Sequence, residues 1–278
     1  MKVAIQGEVG SFHDEAAKIF FTSSNYKILS CSSFEKVFFN VASQQADFGI
    51  VAIENSLYGS IHETYDQLIS SSLEIIGEIE IQVRQQLIGT VNTKLSDIKT
   101  VISHPAALDQ CKNYLSKHLP NAELVEHADT AGAVRELSIS KDEQVAVIAS
   151  DNACKLYGMN LLAKNIEDEQ NNITRFIVIS QKNNSLVQQN NKPNKASLIL
   201  TTDHTPGSLF NALRVFNDLR LNMTKIESRQ VRGQPYKYQF IIDIISNSAD
   251  LSLAVSKLES QNCQVITLGH YKSSQDNK

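Results

Sequence analysis

The five residues Asn172-Ile173-Thr174-Arg175-Phe176 carry the strongest hint of chemistry in the chain. A hydroxyl and a guanidinium stand side by side at the head of an apolar run, Phe176-Ile177-Val178-Ile179, that reads as a buried strand. The planar Arg fork matches both oxygens of a carboxylate, so the pair suits an anionic substrate that must be hydrogen-bonded. The same residues also fit a strand-start Thr with an Arg in a surface ion pair, because strands favour Thr. Strand-to-helix junctions add Ser11, Asn55-Ser56, Ser60, His104 and Thr130. All are neutral or cationic donors. A pocket of donors with one Arg and almost no acids would take a small dianion through hydrogen bonds and dipoles. The sequence has no P-loop, dinucleotide fingerprint or G-x-S-x-G elbow. His62-Glu63 begins like a zinc-protease helix, but Asp66 stands where the second His is required.

Alternating strands and helices must position these groups. Lys2-Ile5 reads as a strand, Gly7 to Ser11 as a turn, and Phe12, Ala16, Ala17 and Phe20 as the apolar face of a helix. Glycines and a helix N-terminus there would let an anion approach the backbone. A second strand (Tyr26-Leu29), a helix (Phe34, Val37, Phe38, Val41) and a third strand (Gly49-Ile53) follow. That strand ends in Glu54-Asn55-Ser56, at the carboxyl edge where open α/β sheets bind ligands, and Gly59-Ser60-Ile61 is expected to open the next helix. After strand-like runs at Leu73-Ile79 and Gln86-Val91 the alternation restarts. Val101-Ser103 leads to a helix opened by His104-Pro105, Leu124-Val125 to one capped by Asp129, and Val145-Ala149 to one at Ser150-Asp151. The expected architecture is α/β with two lobes, one about 1–79 plus 161–181 and the other about 80–160, which the Asn172–Phe176 stretch closes at the hinge. Residues 182–195, rich in Lys, Asn and Gln, read as a linker. Residues 196–272 then follow a ferredoxin-like βαββαβ pattern that by itself names no function.

Composition sets outer limits. The 278 residues suit about two domains, and 42% hydrophobic with 20% charged residues is the balance of a globular protein. A formal net charge of -4 argues against a nucleic-acid partner. Cys31, Cys111, Cys154 and Cys263 are scattered without metal-ligand spacing and read as reduced packing residues of a cytoplasmic protein. No apolar run would span a membrane, and the N-terminus enters a strand without a leader pattern.

Glu54-Asn55-Ser56 with Gly59, Ser103-His104-Pro105 with Leu108 and Gln110-Cys111, and Asn172 with Thr174-Arg175-Phe176 resemble, in that order, the signature stretches of prephenate dehydratase. With the tail, the resemblance spans nearly the whole chain. It implies a periplasmic-binding-protein-like catalytic domain over 1–181 that turns prephenate into phenylpyruvate without a cofactor or metal. Thr174 would be the catalytic residue, and Ser11, Asn55, Ser56, Ser60, His104, Thr130, Arg175 and Phe176 would bind substrate. Arg175 would hold the pyruvyl carboxylate. The tail resembles that family's ACT domain, with Gly207-Ser208-Leu209-Phe210 and Glu227-Ser228-Arg229 where its phenylalanine-sensing motifs belong. Feedback by L-phenylalanine and self-association through ACT domains, as dimer or tetramer, would follow. Ala106 stands where the family usually has Gln, and Gln230 where it has Pro. Asp129-Thr130-Ala131-Gly132-Ala133 resembles the arogenate dehydratase version of that segment. Arogenate is therefore the alternative substrate, and a non-catalytic small-anion sensor is the rival from another class.

Overall fold

The computed structural model describes residues 1–22, 25–187, 192–231, 233–234 and 237–274. The chain forms two compact units, one of Met1–Thr64 with Ile79–Phe176, the other of Tyr65–Glu78 with Ile177–Lys278. Each is built from elements that the sequence pattern largely anticipates.

The first lobe of unit one runs β1 (Lys2–Gln6), α1 (Phe12–Phe20), β2 (Lys27–Cys31), α2 (Phe34–Ala42), β3 (Phe48–Asn55) and β4 (Gly59–Ser60). Helix α3 (His62–Ser70) and strand β5 (Leu73–Gln82) follow. Strands β2 and β3 flank β1 in parallel, and their buried Val3, Ala4, Ile5, Ile50 and Val51 pack beneath Ala16, Ala17, Val37 and Val41. Ser11 and Ser33 cap α1 and α2, each accepting from the backbone N–H three residues on.

Ser60 corrects the expectation of a helix at Gly59. Gly59 adopts φ +76°, a left-handed turn open to glycine, and the chain doubles back so that Glu54 pairs with Ser60 and Asn55 with Gly59. The helix starts only at His62. Strand β3 consequently extends two residues further than its apolar run, and Glu54 and Asn55 are ladder residues rather than loop residues.

The second lobe comprises β6 (Gln86–Gly89), β7 (Thr100–Ser103), α4 (Pro105–Asp109), α5 (Lys112–His118) and β8 (Glu123–Glu126). It continues through α6 (Thr130–Ser140), β9 (Val145–Ala149), α7 (Asp151–Leu156) and β10 (Asn160–Ala163). Its sheet has the order β10-β6-β9-β7-β8. One face buries Leu87, Val101, Leu115 and Ile148, the other Ile88, Val134, Leu137 and Val147. Within unit one the lobes touch through Ser150, whose hydroxyl donates to Gly10 O at 2.7 Å, and Tyr157, whose hydroxyl donates to Val9 O at 3.3 Å. The chain then enters β11 (Ile173–Gln181) beside β3.

In unit two, β12 (Lys195–Thr201), α8 (Ser208–Asp218), β13 (Asn222–Gln230), β14 (Tyr238–Ile245), α9 (Ser248–Glu259) and β15 (Gln264–Tyr271) follow the expected βαββαβ order. The antiparallel sheet order is β13-β14-β12-β15, and Leu198, Leu200, Ile242 and Ile244 pack against Ala212, Phe216, Ala254 and Leu258. Residues 188–191 of the expected linker lie outside the described residues.

The opposite face of this sheet holds a polar network. Lys195 Nζ donates to both Glu78 carboxylate oxygens at 3.0 and 2.8 Å, and the Ser273 hydroxyl and Ser274 N–H add to Glu78 Oε1. The Ser197 hydroxyl donates to Asp243 at 2.6 Å and meets the Tyr271 hydroxyl at 2.7 Å. Charges this deeply buried persist only because each is hydrogen-bonded. Glu78→Ala, which removes both hydrogen bonds of the Lys195 ammonium and leaves it Asp243 Oδ2 at 4.0 Å, should lower the unfolding free energy by about 3–5 kcal/mol, measured by urea denaturation.

Candidate active site

The site is organised by the side-chain amide of Asn55, the last residue of β3. Its Oδ1 accepts the backbone N–H groups of Leu57 (2.9 Å) and Tyr58 (3.2 Å). That fixes which end of the amide is oxygen, because only the oxygen can accept. The amide nitrogen is therefore turned to β11, donating to Thr174 Oγ1 at 2.9 Å and to Asn172 Oδ1 at 2.6 Å. Thr174 and Asn55 are both buried. With its oxygen accepting from Asn55, the Thr174 hydroxyl keeps its proton available as a donor.

Ser56 locks the same register. It exchanges backbone and side-chain bonds with β11: Ser56 N–H to Ile173 O at 2.9 Å, Ile173 N–H to Ser56 Oγ at 2.9 Å, and the Ser56 hydroxyl to Asn171 O at 3.0 Å. These bonds occupy Ser56 structurally. Tyr58 ties the turn to the second lobe through its hydroxyl, 3.1 Å from Asp109 at the end of α4. His104 caps the start of that helix, its Nδ1 accepting from Ala106 N–H at 3.2 Å, and is exposed.

Thr174 and Arg175 do not act side by side. Neighbours on a strand leave opposite faces, and their partners show it: Thr174 meets Asn55, whereas Arg175 meets Glu54. Arg175 Nε and Nη2 lie 3.2 and 2.9 Å from Glu54 Oε2, in a largely buried pair. The expectation of an acid-poor site with a carboxylate-gripping Arg beside the hydroxyl is corrected accordingly. Glu54 sits in the signature stretch itself and could have been paired with Arg175 by the alternation of both strands.

Phe176 returns to the Thr174 face and packs edge-on against His13 of α1, ring centroids 4.9 Å apart. Ser11, two residues before His13, is the buried cap of α1. A Cβ placed on Gly7 would lie 3.8 Å from the Ser11 Cβ and 3.9 Å from the Asp129 Cβ, so the loop at Ser11 meets the start of α6. Asp129 caps α6, accepting from Gly132 N–H at 2.6 Å, and Thr130 is its first residue, half-buried. Two helix N-termini thus meet; their dipoles favour negative charge, part of which the Asp129 carboxylate on α6 and Asp14, accepting from Gly10 N–H at 2.8 Å, already supply.

His13 escaped the sequence reading, and Asn172, though part of its leading stretch, was given no contact of its own. His13 is 9% exposed, and burial lowers its pKa to about 3, so the imidazole is neutral. Among the described residues neither His13 Nε2 nor Asn172 Nδ2 has a hydrogen-bond partner, although both are buried. An orphaned buried polar atom costs about 1–3 kcal/mol. Helical spacing alone would make His13 a core residue, so only its orphaned atom distinguishes it.

Of the effector candidates in unit two, Gly207 caps α8 with φ +88°, Ser208 and Leu209 are half-buried in its first turn, and Phe210 is exposed. Glu227, Ser228 and Arg229 lie within β13, Arg229 bonded to Asp66 at 2.9 Å. A hollow of about 610 Å³ is lined by Thr205, Ser208, Asn211 and Arg214, and another of about 450 Å³ by Asp66, Arg229, Gln230 and Gln239. The two segments therefore line separate hollows of a single chain. Among the described residues no cluster of three His, Cys, Asp or Glu could hold a metal, and no helix is long and apolar enough to cross a membrane. All four cysteines are free and buried.

The α/β fold thus brings a fixed amide, a hydroxyl and two helix N-termini to one region of unit one. Residues 3–184 match the family described as prephenate dehydratase, and the chain belongs to that family. It is 36% identical to the prephenate dehydratase of Methanocaldococcus jannaschii over 94% of both chains. It superposes on prephenate dehydratase from Arthrobacter aurescens in complex with L-Phe with a TM-score of 0.83, at 25% identity over 99% of this chain and 91% of that one. It also superposes on GqqA, described as a quorum quenching acylase, with a TM-score of 0.86 at 26% identity over the whole of both. The chain spans 60–66% of the length of the plant relatives it matches, an arogenate dehydratase of Petunia hybrida and two arogenate dehydratase/prephenate dehydratases of Arabidopsis thaliana, at 35–36% identity.

The buried His13 gives a pH test. Its folded pKa of about 3 lies below the ordinary histidine value of 6.5, so the unfolded chain binds the extra proton between the two. This contribution to stability is complete above pH 6.5 and falls by about 1.4 kcal/mol per pH unit down to pH 3. Unfolding free energies measured from pH 7 to 4 should show that slope, and His13→Phe should remove it.

Proposed function

We propose that this chain catalyses the decarboxylating dehydration of prephenate to phenylpyruvate, with arogenate as the alternative substrate. The carrying observation is the oriented chain from the Leu57 and Tyr58 N–H groups through Asn55 to Thr174. It presents a hydroxyl as a hydrogen-bond donor, on an oxygen already polarised by Asn55, to whatever lies over β11. A fold shared with a protein described as an acylase does not choose the chemistry; the oriented hydroxyl in the family's signature stretch does.

The substrate is a dianion that loses its ring carboxylate as carbon dioxide and its ring hydroxyl as water, leaving an aromatic ring. The electron pair of the breaking C–C bond enters the ring as the C–O bond breaks. The departing hydroxide takes its proton from solvent and leaves as water, and Thr174 lowers that barrier by hydrogen-bonding the leaving oxygen. Threonine is too weak an acid to give its proton away outright, so its role is polarisation and orientation. The carboxylate that leaves sheds its charge best in a dry place, for which buried Phe176 and the neutral His13 are suited. The side-chain carboxylate goes to the helix N-termini at Ser11 and Thr130. Arg175 braces β11 against β3 through Glu54 instead of gripping substrate, and holds Asn55 in register from the opposite face. His104 and Ser60 are offered as outer contacts from α4 and β4.

The catalytic domain is proposed as 1–181 and the βαββαβ module, 196–272, as an ACT domain. L-Phe is the effector we propose, and a second copy of this chain would complete its site. The separate hollows at Ser208 and Arg229 support that reading, because each offers half of the expected contacts.

Incubation with prephenate or arogenate, with the product followed by its absorbance in alkali, tests the reaction. Binding of either substrate without turnover would favour a sensor. Thr174→Ala should cut kcat by about 100-fold or more with little change in KM, while Thr174→Ser retains most activity. A loss confined to KM would reduce Thr174 to a binding group. L-Phe should inhibit, and Leu209→Ala should raise the half-inhibiting concentration at least about tenfold, as expected for 1.4 kcal/mol of lost contact.

A further inference from the structure

We propose that His13 is an additional substrate-contacting residue, whose Nε2–H donates to an oxygen of the bound dianion beside Thr174. The inference rests on the catalytic reading of that face. Three features of the structure carry it.

His13 lies on the substrate side of the sheet. Residues 172, 174 and 176 share one face of β11, successive members about 7 Å apart, and the His13 ring packs on Phe176. The imidazole thus stands at one end of a row that has Asn172 at the other and the Thr174 hydroxyl between them.

Both ends of the row present an atom without a partner among the described residues, Nε2 on His13 and Nδ2 on Asn172. The Asn172 atom is a donor by necessity, because its Oδ1 already accepts from Asn55. His13 offers a donor at Nε2 in one of its two neutral tautomers. Two buried donors flanking a hydroxyl on one face match a ligand whose polar atoms are nearly all acceptors, as those of prephenate are.

Simple packing does not require the nitrogen. The ring also lies 5.8 Å from Phe34, at 56°, so His13 sits between two phenyl rings that a third would fill as well. A ring that donates without carrying charge also suits a site from which a carboxylate must leave, since a cation would hold it back.

The test replaces the ring while keeping its shape. His13→Phe should lower kcat/KM for prephenate at least tenfold and weaken phenylpyruvate binding, measured by calorimetry, by a similar factor, with Tm unchanged or higher. His13→Gln, which restores a neutral donor, should recover kcat/KM to within threefold of wild type. If His13→Phe binds phenylpyruvate and turns over prephenate within twofold of wild type, the proposal is overturned. It is equally overturned if His13→Gln is as impaired as His13→Phe while both remain folded. Should the wild-type chain bind phenylpyruvate through His13 yet turn over neither substrate, the contact stands and the catalytic reading fails.

Discussion

The site depends on the orientation of one amide. Asn55 could face either way as far as shape is concerned, and only the two backbone N–H groups of the turn at Leu57-Tyr58 decide it. Once the oxygen is committed to them, the nitrogen must donate toward β11, and the Thr174 oxygen becomes an acceptor. The turn exists because Gly59 takes a left-handed conformation and lets β4 fold back on β3. A glycine outside the reacting centre thus governs which way a proton can be presented inside it.

A single amide can do this only if the two strands hold still. Ser56 and Ile173 exchange three bonds with their neighbours across the junction, and Arg175 clasps Glu54 on the far side of the sheet. Opposed fixings on the two faces resist a slip of β11 along β3. A slip of one residue would send Thr174 to the Arg175 side and dismantle the donor chain. The ion pair is therefore worth more for register than for stability, since desolvation of a largely buried pair offsets much of its Coulombic attraction.

Much of this was legible in the sequence. The strand-helix alternation, the caps at Ser11, Asp129 and Ser150, and the βαββαβ tail follow from periodicity and capping chemistry that local residues determine. Asn55 and Thr174 stood out because polar residues at strand ends are easily spotted. What failed was the reading of Thr174 and Arg175 as partners, which ignored the two-residue period of a strand. The helix expected at Gly59 failed because a two-residue hairpin strand has no periodicity to detect. The Glu78–Lys195 network was beyond reach for another reason: its members are 117 residues apart in sequence, and nothing local distinguishes them from surface charges.

His13 shows the limit most clearly. In the sequence it is one polar position in the first turn of an amphipathic helix, where a histidine is unremarkable. Its meaning arises from three elements meeting: α1 sets the ring down on Phe176, β11 carries Thr174 on the same face, and Phe34 of α2 closes the other side. Burial then removes the charge that would make a histidine conspicuous, leaving a neutral nitrogen that no packing requirement explains. If the site expels a carboxylate, as proposed, it has reason to keep such a group and to exclude a cation. The pairing of Arg175, the obvious anion holder, with Glu54 on the other face of β11 accords with the same reasoning.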